Sequence, residues 1–399
     1  PLAKLLRNRW FILAVLFFAR GAWAYQFQAV GSVGPMMVDD LGISYAKLGT
    51  LIGLFDAPGI VIALAGGYLG QRYGDKRLVL IGLGLMVIGG IIGGAALDFE
   101  VSAGSRIVAG AGTVLLGVLI AKMVADWFSG RELVLAMAIV LASWPIGIGT
   151  ALGTHGVLAE ALGWPAVFYA TAALSLLGLM LVAAFYHRPP HAKAAAIAGP
   201  VAGKTGITTR EIALVSVAAL IWVLFNEGLI VLVSFGPTLL EARGLSISDA
   251  GQLISLSTWA YAAATLAGGG IVQWIGRPNL VIVVNFVAMI AALALVPYTD
   301  LPYLLFIAIG ITTGMPTGAV MALSVEALAA RNRSVGMGVF YAWRYGGFAL
   351  LQPFAGWTAD FSGEATTPLL FAAACVAAAL ACLALFRILL HRPNAGFRY

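Results

Sequence analysis

Five charged side chains lie inside long apolar stretches of the sequence, where an ionised group is costly. They are Arg20, Asp56, Arg106, Glu227 and Arg344. A charge at the centre of a membrane helix costs about 2.5 to 3.5 kcal/mol on insertion scales, so such a side chain faces a partner, water or the protein interior. We therefore take these five residues as the first candidates for the chemistry of this protein.

Arg20 and Arg344 have the residue type and the neighbours of an anion site. At 100° per residue, Trp23, Phe27 and Gln28 lie on or beside the helix face of Arg20. The corresponding neighbours of Arg344 are Tyr341, Phe348 and Gln352. A guanidinium offers planar, paired donors that fit a carboxylate or another oxyanion. We predict that these residues bind an anionic substrate; the alternative for Arg20 is a structural pair with Asp56 or Glu227.

Asp56 is a candidate for proton coupling, because a buried carboxyl group can exist in a charged and in a neutral form. It directly precedes the Ala57-Pro58-Gly59 segment, which predicts a kink in its helix. The alternative is a structural salt bridge from Asp56 to Arg20 or Arg106.

Glu227 is the second candidate for proton coupling, for the same reason as Asp56. Its neighbours Asn226 and Gly228 predict a locally irregular helix at a site. Arg106 lies nearer the end of its apolar stretch, and we expect it to be structural or linked to the proton rather than to bind substrate.

The composition is that of an integral membrane protein. Of 399 residues, 61% are hydrophobic and only 10% are charged, and the mean hydropathy is +0.97, whereas a soluble protein is about half apolar and a quarter charged. The net charge of +6 comes from basic residues scattered between apolar runs. They form no stripe, so nucleic acid is not an expected partner.

Twelve apolar stretches have the length that crosses about 30 Å of hydrocarbon. They cover about 10–37, 46–70, 78–97, 101–125, 133–156, 164–186, 211–240, 248–273, 279–297, 301–326, 334–358 and 367–390. The first run is longer than a signal peptide, and we expect it to be the first span. The polar segment 187–210 has a linker composition, which predicts six-helix halves at 1–186 and 211–399.

The loops predict an orientation. Nearly all Lys and Arg residues outside the spans lie at the termini or in the even-numbered connections, whereas the odd-numbered connections are rich in Asp and Glu. Positive loops stay in the cytoplasm. We therefore expect both termini to be cytoplasmic and the protein to lie in the cell (inner) membrane.

The second half repeats the first. The stretch 33–52 aligns with 235–254 without a gap, and after a two-residue shift Gly110 matches Gly310 and Gly147 matches Gly347. Two parallel halves with a site between them near the midplane are a transporter design, in which one half rocks against the other.

Three motifs resemble those of the major facilitator superfamily. The stretch "GGYLGQRYGDKR" resembles its loop signature after the second span, with Gln71 in place of the usual acid. "SRIVAGAG" resembles the fourth-span motif around Arg106, and "SWPIGIGTALG" the fifth-span hinge. The resemblance implies an all-α membrane fold of twelve helices in two pseudo-symmetric six-helix bundles. It also implies that Arg72 and Gly74 belong to a cytoplasmic gate. Asp126 and Glu326 occupy matching repeat positions at cytoplasmic helix ends beside Arg131 and Arg331, and we expect gate or capping pairs there.

A narrower resemblance links the chain to the cyanate and nitrate/nitrite porters of this superfamily. It rests on "LFDAPG" in the second span, "DWFSGRE" after the fourth and Trp-Pro-Ile-Gly in the fifth. Members of these branches move small, mostly anionic solutes.

The sequence thus predicts a secondary active transporter that moves a small anionic solute by alternating access, with proton symport as an open alternative. A proton-coupled exporter of hydrophobic or cationic compounds and a solute receptor are the rival functions. The four histidines lack partners at ligand spacing, so we expect neither an enzyme nor a metal or cofactor. The expected partners are a small solute and the lipid bilayer, and the expected state is a monomer.

Overall fold

A computed structural model describes residues 8–63, 72–187, 207–299, 302–329 and 332–391. These residues form helices joined by short turns, and no strand occurs among them. Most of the expected linker at 187–210 lies outside the described residues, and so does the motif position Gln71.

The first half contains spans 1 to 6. Span 1 consists of three helical pieces, Arg9–Phe27, Ala29–Ser32 and Gly34–Leu41. Span 2 begins as Tyr45–Gly53, turns at 54–58 and is helical again from residue 59 to the end of the described segment. Spans 3 to 6 are Asp75–Gly94, Phe99–Trp127, Gly130–Leu162 and Trp164–Phe185.

The second half contains spans 7 to 12. Spans 7, 8 and 9 are Thr209–Glu241, Ile247–Ile275 and Pro278–Leu295, the last followed by the 3₁₀ turn Val296–Tyr298. Span 10 is divided into Tyr303–Gly314 and Thr317–Glu326, and spans 11 and 12 are Arg333–Ser362 and Thr367–His391. The predicted arrangement of twelve helices in two related bundles is confirmed.

Nine of the described helices are long and apolar enough to cross a membrane by composition alone. Spans 8 and 11 are as long, at 29 and 30 residues, but are not among the nine. Both carry many Gly, Ser, Thr, Trp and Tyr residues, and span 11 also carries Arg344. Polar side chains inside a membrane protein face partners or a cavity rather than lipid, and Arg344 of span 11 lines a cavity.

The kink predicted for span 2 is present. The α-helix stops at Gly53, and residues 54–58 form turns up to Pro58. The irregularity predicted around Glu227 is wrong, because span 7 is one continuous α-helix. Asn226 there donates its side-chain amide to the Trp222 carbonyl four residues earlier, at 2.7 Å, which leaves the helical ladder intact.

The two halves are held together on the side of the odd-numbered connections, which we call the acidic side. The backbone N–H groups of Tyr45 and Ala46, at the start of span 2, donate to the Asp360 carboxylate at the end of span 11, both at 2.8 Å. In the same way Ser248 N–H, at the start of span 8, donates to Glu160 Oε1 at the end of span 5, at 2.8 Å. Each carboxylate satisfies N–H groups that the first helical turn leaves without an intrahelical acceptor.

A glycine one turn before each carboxylate permits this approach. A methyl group on Gly156 would lie 2.6 Å from Ser248 Cα, and one on Gly356 would overlap the Tyr45 carbonyl. Span 5 can therefore reach the start of span 8, and span 11 the start of span 2, only because these two positions lack a side chain. The acidic side is the closed side of this structure.

On the opposite, basic side, the described ion pairs join spans of the same half. Lys122 pairs with Asp75 at 2.8 Å, and Arg387 pairs with Glu326 at 2.7 Å. Gly74, which precedes span 3, has a φ of 88°, a conformation that favours glycine.

The structure describes the remaining predicted gate residues only in part. Arg72 lies against the ring of Tyr73, 5.5 Å from its centroid. Asp126 lies near the end of span 4, whereas the side chain of Arg131 and all of Arg331 lie outside the described part.

Candidate functional site

A small cavity lies between the two halves and is lined by residues of both. Its volume of about 10 Å³ is room for about one water molecule. The lining residues are Trp23, Phe27, Asp56 and Trp144 of the first half and Ile230, Arg344 and Phe348 of the second. The sequence had predicted five of these seven as site residues and missed Trp144 and Ile230.

Arg344 is the cation of this cavity. Its guanidinium carbon lies 4.8 Å from the ring centroid of Tyr345 and 5.6 Å from that of Phe348. No ion pair of Arg344 occurs within the described residues. The aromatic rings hold the side chain in place. The guanidinium also donates a hydrogen bond to the Tyr345 hydroxyl, and no described contact occupies its other donors.

Asp56 is the anion of the same cavity. It lies within the break in span 2 and is only 8% exposed, yet it lines the cavity. Its charge interacts with those of Arg344 and Arg106, but neither arginine forms a described ion pair with it. The salt bridges considered for Asp56 are therefore not formed in this conformation.

Arg20 lies beside the cavity rather than on its wall. Its Nη1 donates to the carbonyls of Val140 and Leu141, both at 3.0 Å, and to Ser143 Oγ at 3.1 Å. Pro145 has no N–H, so the Leu141 carbonyl four residues earlier has no intrahelical donor. The Arg20 guanidinium supplies the missing donor to this carbonyl of span 5.

Arg20 also lies close to an aromatic ring and a charge of the site. Nη1 makes all of its described hydrogen bonds, and the guanidinium carbon lies 5.3 Å from the ring centroid of Trp23. Its charge interacts with that of Arg344 across the interface. The two arginines are thus close enough for their charges to interact, and neither forms a salt bridge with Asp56 or Glu227 among the described contacts.

Arg106 is fully engaged with backbone. It donates to the carbonyls of Leu51, Gln26 and Phe27 at 3.0, 3.1 and 3.0 Å. These carbonyls lie where spans 1 and 2 are interrupted, and broken membrane helices need such substitute donors. Arg106 is only 2% exposed. Its hydrogen bonds stabilise the breaks in spans 1 and 2 beside the cavity.

Gln28 connects the halves beside the cavity. Its Nε2 donates to the Val233 carbonyl of span 7 at 2.6 Å. Pro237, inside span 7, removes the N–H that would bind this carbonyl. Span 1 thus supplies two side chains, Arg20 and Gln28, to carbonyls that prolines leave free in other spans.

Glu227 and Gln352 form a pair within the second half. Gln352 Nε2 donates to Glu227 Oε2 at 2.7 Å, while Glu227 Oε1 has no partner among the described atoms. Glu227 is completely buried, and its charge interacts with that of Asp56. The two predicted carboxylates therefore lie in one electrostatic neighbourhood.

Tyr341 completes the set of predicted binding residues. It is 37% exposed and packs against the rings of Phe340 and Tyr345, with centroids 5.7 and 6.5 Å away. It is not part of the cavity wall in this conformation. No group of acidic, His or Cys residues suited to a metal ion occurs within the described ranges.

The sequence pattern of the Major Facilitator Superfamily matches residues 10–350. An uncharacterised MFS-type transporter of Mycobacterium tuberculosis is 26% identical over 187 residues, which cover 46% of this chain and 32% of that protein. The hexuronate transporter of Bacillus subtilis is 24% identical over 274 residues, which cover 66% of this chain and 64% of that protein. The chain thus spans less than two thirds of the length of either relative.

The crystal structure of a variant of the nucleoside transporter NupG superposes with a TM-score of 0.78 at 18% identity. The match covers 95% of this chain and 100% of that one. At this identity the likeness shows the fold.

Proposed function

Because the chain belongs to the Major Facilitator Superfamily, we propose that it moves a small solute with an anionic group across a membrane by alternating access. The relatives and structural neighbours are transporters rather than enzymes. The observation that carries the anionic part is Arg344, which lies on the wall of a cavity between the halves without an acidic partner in contact. The positive charge of Arg20 adds to it from the first half.

In the proposed complex, Arg344 binds the anionic group through two hydrogen bonds. A guanidinium in a water-poor site forms two parallel hydrogen bonds with a carboxylate, and such bonds are stronger there than in water. The apolar walls formed by Trp23, Phe27, Trp144 and Phe348 suit the body of the ligand, whereas the arginine fixes its orientation. A cavity of this size must widen when the ligand enters.

The proposed transport cycle uses the interface on the acidic side. In this structure Glu160 and Asp360 hold that side closed. Rocking of one half, 1–186, against the other, 211–399, would release these bonds and open the cavity to the other side. With the basic connections in the cytoplasm, the structure corresponds to a state closed toward the outside.

Proton coupling is proposed through Glu227 and Asp56, because both carboxylates are buried without an ion pair among the described contacts. The three carbonyl bonds of Arg106 favour a structural role for that residue. The monomer remains the proposed functional unit.

Between the substrate classes, the hexuronate transporter favours an anion, since a hexuronate is a sugar carboxylate. Its alignment includes 66% of this chain. A quinolone resistance protein of Staphylococcus aureus, 28% identical over 170 residues, favours the exporter alternative. The narrower assignment to cyanate and nitrate/nitrite porters has no support among these relatives, and we do not retain it.

The test is uptake by purified protein in proteoliposomes, with a panel of small carboxylates that includes glucuronate. We expect saturable uptake of at least one carboxylate, and its loss in Arg344→Gln. The surface variant Arg277→Gln, whose side chain is exposed, serves as control. Uptake that is equal in all three proteins would contradict the proposal.

A further inference from the structure

We infer that the substrate is a small zwitterion, with a carboxylate that binds Arg344 and an ammonium group that binds Asp56. This inference rests on the proposed transport function and names the substrate class of the same cavity. It starts from the fact that one cavity wall carries both an arginine and an aspartate that do not form an ion pair with each other.

The Asp56 carboxylate has no direct partner among the described residues. No hydrogen bond to its carboxylate occurs among the described residues, although the side chain is more than nine-tenths buried. A buried carboxylate without hydrogen bonds or a cation is strongly unfavourable. The positive charges of Arg344 and Arg106 act on Asp56 without a described ion pair. An ammonium group of the ligand would supply the direct hydrogen bonds.

The positive charge of Arg344 and the negative charge of Asp56 together favour a ligand that carries one negative and one positive group. A simple anion would satisfy Arg344 and leave Asp56 beside a second negative charge. A simple cation would satisfy Asp56 and meet the positive charges of Arg344 and Arg20. With Asp56 ionised, a ligand with separated charges removes both conflicts, because like charges at close range oppose binding.

The aromatic wall of the cavity also suits an ammonium group. Phe27 and Trp144 form an adjoining pair with ring centroids 6.1 Å apart, and both line the cavity. The rings of Trp23 and Phe348 already face the guanidinium groups of Arg20 and Arg344. Faces of Trp and Phe attract ammonium ions, so the Phe27 and Trp144 pair is the wall that remains for the ligand.

The alternative is that a proton, rather than a ligand ammonium, neutralises Asp56. Two probe series of constant shape distinguish the two. They are phenylalanine, 3-phenylpropionate and phenethylamine, and alanine, propionate and ethylamine. Binding to the purified full-length protein is followed by the shift in thermal unfolding and by intrinsic tryptophan fluorescence, to which Trp23 and Trp144 of the cavity contribute.

For the wild-type protein we expect the amino acid of at least one series to bind at least tenfold more tightly than its carboxylate and its amine. In Asp56→Asn this preference should disappear, and the carboxylate should bind as well as the amino acid or better. In Arg344→Gln the amino acid should lose its advantage over the amine. Asp249→Asn, an exposed acid, is the control and should behave like the wild type.

The failures are distinguishable. If carboxylates bind through Arg344 but the amino group adds no affinity, the zwitterion is wrong and the proposed anion transport stands. If binding does not depend on Arg344, the proposed function itself is wrong. If neither series binds, a short zwitterion of this kind is excluded. Asp56→Glu, which keeps the charge, should keep the preference if Asp56→Asn folds poorly.

Discussion

Glu160 and Asp360 occupy matching positions in the two halves, and each binds the first turn of a helix in the opposite half. Glu160 accepts from Ser248 N–H, and Asp360 accepts from the N–H groups of Tyr45 and Ala46. The negative charge also interacts favourably with the positive end of the helix it faces. The repeat thus produces two equivalent contacts that close the acidic side.

The variants Glu160→Ala and Asp360→Ala should open this side more often. Loss of a capping side chain costs about 0.5 to 2 kcal/mol, so each variant should raise the open fraction about two- to thirty-fold. The measurement is the rate of thiol labelling of Thr238→Cys, which is 3% exposed and lies beside Gly34 between the halves. The native thiols, Cys375 and Cys382, are replaced by Ala.

The control for this experiment is Asp249→Asn on the same side of the protein. Its side chain is exposed and has no described bond to the other half. A labelling rate that rises equally in the control, or in none of the variants, would show that the two carboxylates do not hold the interface.

Gln28 and Pro237 should be thermodynamically coupled. Gln28→Leu leaves the Val233 carbonyl buried without a donor, which costs about 1 to 3 kcal/mol. Pro237→Ala restores an N–H within span 7, so Gln28→Leu should cost less in that background. The double-mutant cycle is measured by thermal unfolding, with an expected coupling of about 0.5 to 3 kcal/mol. Additive effects would contradict the assigned role of Gln28.

Arg106→Lys should destabilise the protein even though the charge is kept. A lysine cannot donate to three carbonyls in the planar arrangement of a guanidinium, so the carbonyls at the breaks of spans 1 and 2 lose donors. We expect a loss of about 2 kcal/mol or more in unfolding free energy. An unchanged stability together with an altered pH dependence of uptake would instead assign Arg106 to proton transfer.

Glu227→Gln should separate coupling from binding. The amide has the size of the carboxyl group and can still accept from Gln352, but it cannot carry a proton. We expect uptake of the transported amino acid or carboxylate to lose its response to an imposed pH gradient, whereas exchange of the same solute across the membrane continues. Gln352→Leu is the companion variant. Gradient-driven accumulation by Glu227→Gln at the wild-type rate would exclude Glu227 as the proton carrier.

Much of the fold follows from the sequence. The twelve apolar stretches and the internal repeat predict the number of helices and the two halves, because a membrane span needs a fixed apolar length. The kink at Pro58 is likewise a local property of proline. The irregular helix at Glu227 was a wrong prediction, because an Asn side chain can bond within an intact helix, as Asn226 does with Trp222.

The site is less accessible to sequence reasoning. Helical spacing places Arg344 and Phe348 on one face, and both line the cavity. Helical spacing cannot show that Arg20 and Gln28 donate to the carbonyls that Pro145 and Pro237 leave without an intrahelical donor. Those partners are more than 100 residues apart in the sequence. Trp144 could have been found, since the repeat aligns it with Arg344.

The most direct test of anion recognition by Arg344 is the ligand-induced shift in thermal unfolding of wild-type protein, Arg344→Gln and Arg277→Gln. A ligand at 100 times its Kd stabilises the folded state by about 2.7 kcal/mol. We predict that probes with a carboxylate group raise the unfolding temperature of the wild type and of Arg277→Gln but not that of Arg344→Gln. An equal rise in Arg344→Gln would contradict the account.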